Sequence, residues 1–418
     1  MHLEVESAII FIPLTLINTI PMKLKPIFIF VLDTLLYLLL PWRMISRNSL
    51  VDFKPKSILF CRTDHIGDVY LSLPALALVR NHYPDSHLVV LAPSWAESLF
   101  RVAGCQDELL ICDPPWWTKK RKNRFGTTGS SEGGWLALWR TIQKIRSQNF
   151  DLCIEMRGDV RQIIAFGWLG GAKRLLTRER NGGAGLADLA PKIDESLHEC
   201  EQNIVLVRSL GISETKPIFA TPYSASDALH VHNLLTNTPI TPMQGGNTLT
   251  ILIHPGAKWV NHWPMEYYSD LITALGNEYP KLSVILTGSG SESDVCQKIS
   301  DSLPERSFVL AGKLKLTETA ALMSLVDLVI MADTGPMHFL NAITTPAVLL
   351  FGPTSPTRFA PYGEHIEVIS AGDCCHSSLH EFCTRSSPDT PSDCMARISV
   401  SKVLCRARKL LTGVADFV

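Results

Sequence analysis

Four segments of this 418-residue chain set polar side chains beside a glycine in a way that can serve chemistry. The first is Arg62-Thr63-Asp64-His65-Ile66-Gly67-Asp68. Gly67 allows a tight turn, and a carboxylate at Asp68 facing a cleft can act as general base on an attacking hydroxyl. Asp is also among the best helix N-caps, and spacing alone does not separate the two roles. The second is His254-Pro255-Gly256-Ala257-Lys258, followed by Asn261-His262-Trp263-Pro264. Backbone N–H groups near Gly256 can receive phosphate oxygens with Lys258 as counter-charge; the alternative is a plain strand-to-helix loop. Thr287-Gly288-Ser289-Gly290 is a third, less specific turn. The fourth, Ala332-Asp333-Thr334-Gly335-Pro336-Met337-His338, is the most informative. The Thr334 hydroxyl and the N–H groups near Gly335 stand where a diphosphate would sit, and Asp333 suits the hydroxyls of a ribose or sugar. His338 reads either as part of that set or as a core histidine.

Strands must hold these segments in place, and the apolar pattern supplies them. Short apolar runs alternate with helical stretches from Ser57 onward, as in βαβ units. Strands are expected at Ile58–Cys61, Leu88–Leu91, Glu108–Cys112 and Leu152–Glu155, with helices at Leu73–His82, Trp95–Val102 and Trp135–Ser147. A second series has strands at Thr248–Ile253, Ser283–Leu286, Ser307–Leu310, Leu328–Met331 and Ala347–Phe351. Its helices are Met265–Glu278, Ser291–Leu303, Thr317–Ser324 and Met337–Ile343. The chain is long enough for two domains, each doubly wound, at residues 51–235 and 240–418; the Thr, Pro, Gly and Asn of Ser213–Asn247 hold the linker. Ligands of such sheets bind beyond the carboxyl ends of the strands, where all four segments fall.

A formal net charge of −1 excludes a globally basic nucleic-acid binder. Eleven cysteines, several inside apolar runs, fit buried reduced thiols better than a disulfide framework. Cys374, Cys375, Cys383, Cys394 and Cys405 crowd the C-terminal region with His376 and His380, but their spacing matches no zinc-binding pattern, so no metal site is assigned. Residues 1–50 hold two apolar runs, Ser7–Ile20 and Pro26–Pro41, the second carrying Asp33. Each falls short of the roughly 20 apolar residues that span a bilayer. With Lys23, Lys25, Arg43 and Arg47 flanking them, they read as an apolar helical extension lying on an anionic membrane face; the alternatives are helices packed on the enzyme or a second subunit, and a single span through Pro26–Pro41.

Six segments occur in one order: Arg62…Gly67-Asp68…Leu73-Pro74-Ala75, His254-Pro255-Gly256…Trp263-Pro264, Leu286-Thr287-Gly288, Ala311-Gly312-Lys313, Asp333 to His338, and Phe351-Gly352-Pro353-Thr354. In this order the chain, from Ser57 on, resembles glycosyltransferase family 9, the ADP-heptose:lipopolysaccharide heptosyltransferases. The resemblance implies a GT-B fold, with two Rossmann-like domains facing across a cleft, and inverting transfer with Asp68 as the base. It implies no cofactor. It places donor-binding residues at Gly256, Lys258, Asn261, Thr287, Gly288, Leu310, Gly312, Asp333, Thr334, Gly335 and His338. Acceptor-binding residues fall at Arg62, Lys119, Lys120, Arg121, Arg157 and Arg161, where basic side chains suit an acidic glycolipid or saccharide. The implied partners are ADP-heptose, that acceptor and the cytoplasmic face of the inner membrane. The sequence departs from the family at Asn261, where the resemblance expects a lysine that neutralises the leaving diphosphate. Losing such a cation can cost about 3 kcal/mol in the transition state. The alternative is therefore a catalytically weak or inactive paralogue that binds a nucleotide or glycan. A nicotinamide oxidoreductase is disfavoured, because the first strand is not followed by G-x-G-x-x-G.

Overall fold

The computed structural model describes residues 50–116, 134–236, 249–256, 261–372 and 393–415. The N-terminal extension, Lys119, Lys120, Arg121, Lys258, Cys374, Cys375, Cys383, His376 and His380 lie outside the described residues.

The first domain is a five-stranded parallel sheet. Its elements run β1 (Ser57–Cys61), α1 (Ile66–Tyr70), α2 (Leu73–His82), β2 (His87–Ala92), α3 (Glu97–Ala103), β3 (Glu108–Ile111), α4 (Trp135–Ser147), β4 (Leu152–Glu155) and β5 (Arg174–Leu176). Helices α5 (Glu199–Arg208) and α6 (Ala225–Thr236) follow. The second domain runs β6 (Leu249–His254), α7 (Met265–Glu278), β7 (Leu282–Leu286), α8 (Ser293–Ser300), β8 (Ser307–Val309), α9 (Leu316–Met323) and β9 (Leu328–Ala332). A 3₁₀ segment (Gly335–Asn341), β10 (Ala347–Phe351), α10 (Pro356–Phe359), β11 (Ile366–Ser370) and α11 (Val400–Ala415) complete it.

Strand order is β3-β2-β1-β4-β5 in the first sheet and β11-β10-β9-β6-β7-β8 in the second, with parallel pairing throughout. In both sheets the chain moves outward on one side of its first strand and then crosses to the other. The crevice of such a sheet opens where this reversal occurs, between β1 and β4 and between β6 and β9. Arg62–Asp68, Met156–Arg161, Pro255–Asn261 and Asp333–His338 follow those four strands.

Period-two alternation decides which side of each sheet faces what. Ile58 and Phe60 join one apolar cluster, whereas Leu59 and Cys61 join another against α4. Leu252 joins the first cluster too, while Ile251 and Ile253 pack outward with α7 and α11. The inner cluster thus draws on both domains. Tyr70 belongs to it, stacked on Phe219 at 5.7 Å and edge-on to Phe339 at 5.0 Å, and its hydroxyl donates to the Ala220 carbonyl at 3.0 Å.

The structure adds elements and changes some limits. Helix α6 forms within the expected linker stretch and packs on α9 of the second domain. Strands β5 and β11 and helices α5 and α11 have no counterpart in the sequence expectations. Helix α8 is shorter than Ser291–Leu303, because Ser289 and Glu292 form a capping box over a 3₁₀ turn ahead of it. The expected helix Met337–Ile343 is the 3₁₀ segment Gly335–Asn341. Cys61, Cys112, Cys153, Cys200 and Cys296 are buried free thiols, Cys394 is buried, and Cys405 is exposed. Among the described residues no helix is long and apolar enough to cross a membrane.

Tyr70→Ala should lower unfolding stability by about 3–5 kcal/mol, whereas Tyr70→Phe should lose only about 1 kcal/mol. Chemical denaturation of both variants checks this; equal losses would mean that the hydroxyl, not the ring, joins the domains.

Candidate functional site

Helix α1 and the 3₁₀ segment carry the Asp68 and His338 motifs, and they are packed directly on one another. The approach is so close that only glycines fit. A Cβ on Gly67 would lie 2.5 Å from Cδ2 and Nε2 of His338, and one on Gly335 would lie 2.5 Å from Cβ of Ile66. The first and fourth sequence segments therefore form a single site.

His65 occupies the N-cap of α1, with no side-chain cap bond, and Asp68 lies in the first turn. Its side chain is 26% exposed, and its Oδ1 is 3.7 Å from Nη2 of Arg62. The N-cap alternative for Asp68 is therefore not what the structure shows. Arg62 does not fit the acceptor-binding role expected of it, because its side chain has no exposed surface. Its guanidinium lies beneath Asp68 and donates from Nε to the Asp68 carbonyl at 3.1 Å and from Nη1 to the Met156 carbonyl at 3.1 Å.

Arg157 and Arg161 stand in the loop after β4. Glu155, ending that strand, shapes the loop by accepting from the backbone N–H groups of Arg157 (3.1 Å) and Gly158 (2.7 Å) and from the Thr177 hydroxyl (2.7 Å). Burial pushes its carboxyl up to about 7. Arg157 pairs with the buried Asp64. Arg161 donates to both oxygens of Asp159 and lies over the Trp116 ring at 5.6 Å. Both arginines keep under a fifth of their side-chain surface exposed.

Across the contact, the expected donor residues gather at the carboxyl edge of the second sheet. Gly288, Asp333, Thr334 and Gly335 are half-buried and Gly312 is exposed, whereas Gly256, Thr287 and Leu310 are buried. The Thr287 hydroxyl is 3.1 Å from Nδ1 of His254, which lies under the strand ends. Asn261 is buried, and its Nδ2 donates to Asp333 at the carbonyl (3.2 Å) and at Oδ2 (3.0 Å). The amide thus ties the loop after β6 to the loop after β9 and orients the Asp333 carboxylate, without supplying charge. His338 is buried as well, and burial, reinforced by nearby His198, brings its imidazole down to about 3. It is a neutral ring facing Gly67.

One carboxylate was missed in the sequence. Glu292 accepts from Ser289 N–H (2.6 Å) and Oγ (2.8 Å), and a Cβ on Gly256 would meet it at 2.4 Å. The Ser289-x-x-Glu292 spacing of a capping box was the signal that could have found it. Among the described residues no group of three or more His, Cys, Asp and Glu is placed to hold a metal ion.

Residues 138–387 match the family model for glycosyltransferase family 9 (heptosyltransferase). Over 328 residues, 75% of this chain and 88% of the relative, it is 25% identical to lipooligosaccharide heptosyltransferase 2 of Haemophilus influenzae. It is 22% identical to lipopolysaccharide heptosyltransferase 1 of Escherichia coli over 330 residues, 75% of this chain and 93% of that one. A solved family 9 glycosyltransferase from Veillonella parvula superposes with a TM-score of 0.70 at 20% identity, covering 86% of this chain and 98% of that one. The E. coli ADP-heptose lipopolysaccharide heptosyltransferase II gives 0.65 at 18% identity, over 85% and 99%. Both structures share the two-domain GT-B fold.

His338 sets an expectation for stability against pH. Above 6.5 its imidazole is neutral whether the chain is folded or not. Below 6.5 the unfolded chain binds a proton that the folded chain refuses until about pH 3. Relative to His338→Gln, the parent should therefore lose up to about 1.4 kcal/mol per pH unit in that window. Denaturation curves at pH 7, 6 and 5 check this, and parallel pH dependence of the two proteins would refute it. Gly67→Ala, which drives a methyl into the same ring, should lose about 1–3 kcal/mol in thermal unfolding.

Proposed function

Because the chain belongs to glycosyltransferase family 9 and is therefore a sugar-transferring enzyme, we propose that it moves heptose from ADP-heptose to a lipopolysaccharide core or related surface glycan by inverting displacement. Asp68 is the base. It takes the proton of the acceptor hydroxyl, the freed oxygen attacks the anomeric carbon, and the bond from that carbon to the diphosphate breaks as ADP leaves. The observation that carries this reading is the packing of α1 on the Gly335–Asn341 segment, which puts the only partly exposed carboxylate of α1 beside the Asp333-Thr334-Gly335 loop.

The donor lies along the carboxyl edge of the second sheet, with Gly256, Thr287, Gly288, Leu310, Gly312, Thr334, Gly335 and His338 around it. Asp333, held by Asn261, meets donor hydroxyls. Glu292 adds a carboxylate suited to a ribose, as acidic groups in nucleotide-binding sheets of this kind do. Arg157 and Arg161 meet the acidic acceptor beside Trp116, and Lys119, Lys120 and Arg121, with Lys258 on the donor side, complete the charge. In this reading the enzyme works on its glycolipid acceptor at the cytoplasmic face of the inner membrane, with residues 1–50 as its associating segment. The choice of heptose and ADP is supported by the names of the relatives described above.

One observation favours binding without turnover: Asn261 gives Asp333 a neutral amide where a cation would face the leaving group. Calorimetry with ADP, UDP and GDP, followed by kinetics, separates the readings. ADP should bind selectively, about tenfold more weakly to Thr334→Ala. Asp68→Asn should lower kcat by about 10²–10⁴ with ADP affinity unchanged. A preference for UDP or GDP discards the heptose. ADP binding with no turnover by the parent selects the inactive paralogue. Loss of ADP binding in Asp68→Asn makes that residue structural.

A further inference from the structure

Behind the Arg62–Asp68 pair lies a second carboxylate that the transfer as described does not use. Glu199 opens α5 with its side chain 1% exposed. Its Oε1 accepts from Nη2 of Arg178 at 2.6 Å and lies 3.7 Å from Nη2 of Arg62 and 3.6 Å from Nη1 of Arg180. Its Oε2 is 3.6 Å from Nη2 of Arg358, which α10 brings from the other domain. Four guanidiniums from three parts of the chain therefore share one buried anion. The same Nη2 of Arg62 stands 3.7 Å from Oδ1 of Asp68 and has no hydrogen-bond partner among the described residues. Nη2 of Arg62 is thus suspended between two carboxylates, equally far from each, while its Nη1 lies 3.6 Å from Oδ2 of Asp64.

We propose that Glu199 is a positioning residue for sugar transfer: by drawing on Arg62 it keeps that guanidinium from closing onto Asp68, and so leaves the base oriented and free to take a proton. The inference rests on Asp68 being the base. Burial alone would raise the Glu199 carboxyl, but Arg178, Arg180 and Arg62 outweigh it and hold the group well below the usual carboxylate range, so it stays an anion at working pH. The other titratable or charged groups facing this set include Asp64, Glu155, Arg157, Arg178, Arg180, Glu195, His198, His338 and Arg358. His338 is neutral, and Asp64, paired with Arg157, meets Arg62 at Nη1, so Glu199 is the anion that shares Nη2 of Arg62 with Asp68. If Glu199 loses its charge, Arg62 turns to Asp68, and a tighter ion pair makes the base weaker and harder to protonate.

The test is the pH profile of kcat for the full chain with ADP-heptose and a lipopolysaccharide-core acceptor, comparing the parent with Glu199→Gln, Glu199→Asp and Asp68→Asn. For Glu199→Gln the account expects kcat to fall about 10- to 100-fold with donor KM unchanged. The acidic limb should move down by about one unit. Glu199→Asp keeps the charge but withdraws it by one methylene, so its limb should move the same way by less. It also keeps the question open should Glu199→Gln fail to fold. An acidic limb that stays in place in the folded variant, with activity tracking only the folded fraction, makes Glu199 a structural anion and overturns the proposal. Asp68→Asn separates the two levels. If that variant retains the parent's kcat, the base assignment fails; if it is inactive while the Glu199 variants keep the parental limb, only the role of Glu199 fails.

Discussion

Everything proposed for this chain depends on two glycines meeting across the domain boundary. Gly67 lies against the His338 ring and Gly335 against Ile66, at separations that no side chain could occupy. These contacts bring together the turn after β1 and the turn after β9, each at the reversal point of its own sheet. A carboxylate that can take a proton and a loop that can hold a diphosphate then share one crevice, although about 270 residues of loops and strands separate them in the chain. The aromatic cluster of Tyr70, Phe219 and Phe339 and the mixed apolar core behind it stabilise that approach, and the neutral state of His338 follows from it. A charged imidazole against the Gly67 backbone would carry the desolvation cost of a buried ion.

Charge in the first domain is arranged around the same point. Arg62, Arg157, Arg161, Arg178 and Arg180 all belong to segments following β1, β4 or β5, and each is matched by a carboxylate from its own loop, a neighbouring loop or α5. Buried guanidiniums left unmatched would be costly, so the loops are locked as a set. The side proposed for the acceptor is therefore pinned by ion pairs where Arg157 and Arg161 emerge, the latter over Trp116. On the side proposed for the donor the organising group is an amide: Asn261 spans the loops after β6 and β9 and turns the Asp333 carboxylate.

The sheets were legible because their strands are near-continuous apolar runs buried on both faces, as in Leu328–Ala332 and Ala347–Phe351. The four motifs were legible for a related reason, since each follows such a run. Other elements were hidden by tertiary effects. Helix α5 buries Glu199, Gln202 and Asn203 among partners distant in sequence, so it shows no amphipathic stripe. Strand β5 has only three residues, and β11 is a half-buried edge. The buried state of Arg62 was equally out of reach, because Asp68, Met156 and Glu199, which enclose it, converge only in the fold. Residue type identified a cation near Asp68 but not which way it faced.

A single base acting on an acceptor hydroxyl, with the diphosphate leaving from the opposite side, requires the sugar to change anomeric configuration. The most direct measurement is therefore the anomeric configuration of the first-formed product, read by nuclear magnetic resonance during transfer from ADP-heptose. The account predicts a linkage opposite in configuration to that of the donor. A product retaining the donor's configuration would contradict it, because retention requires a mechanism other than direct displacement by the hydroxyl that Asp68 deprotonates.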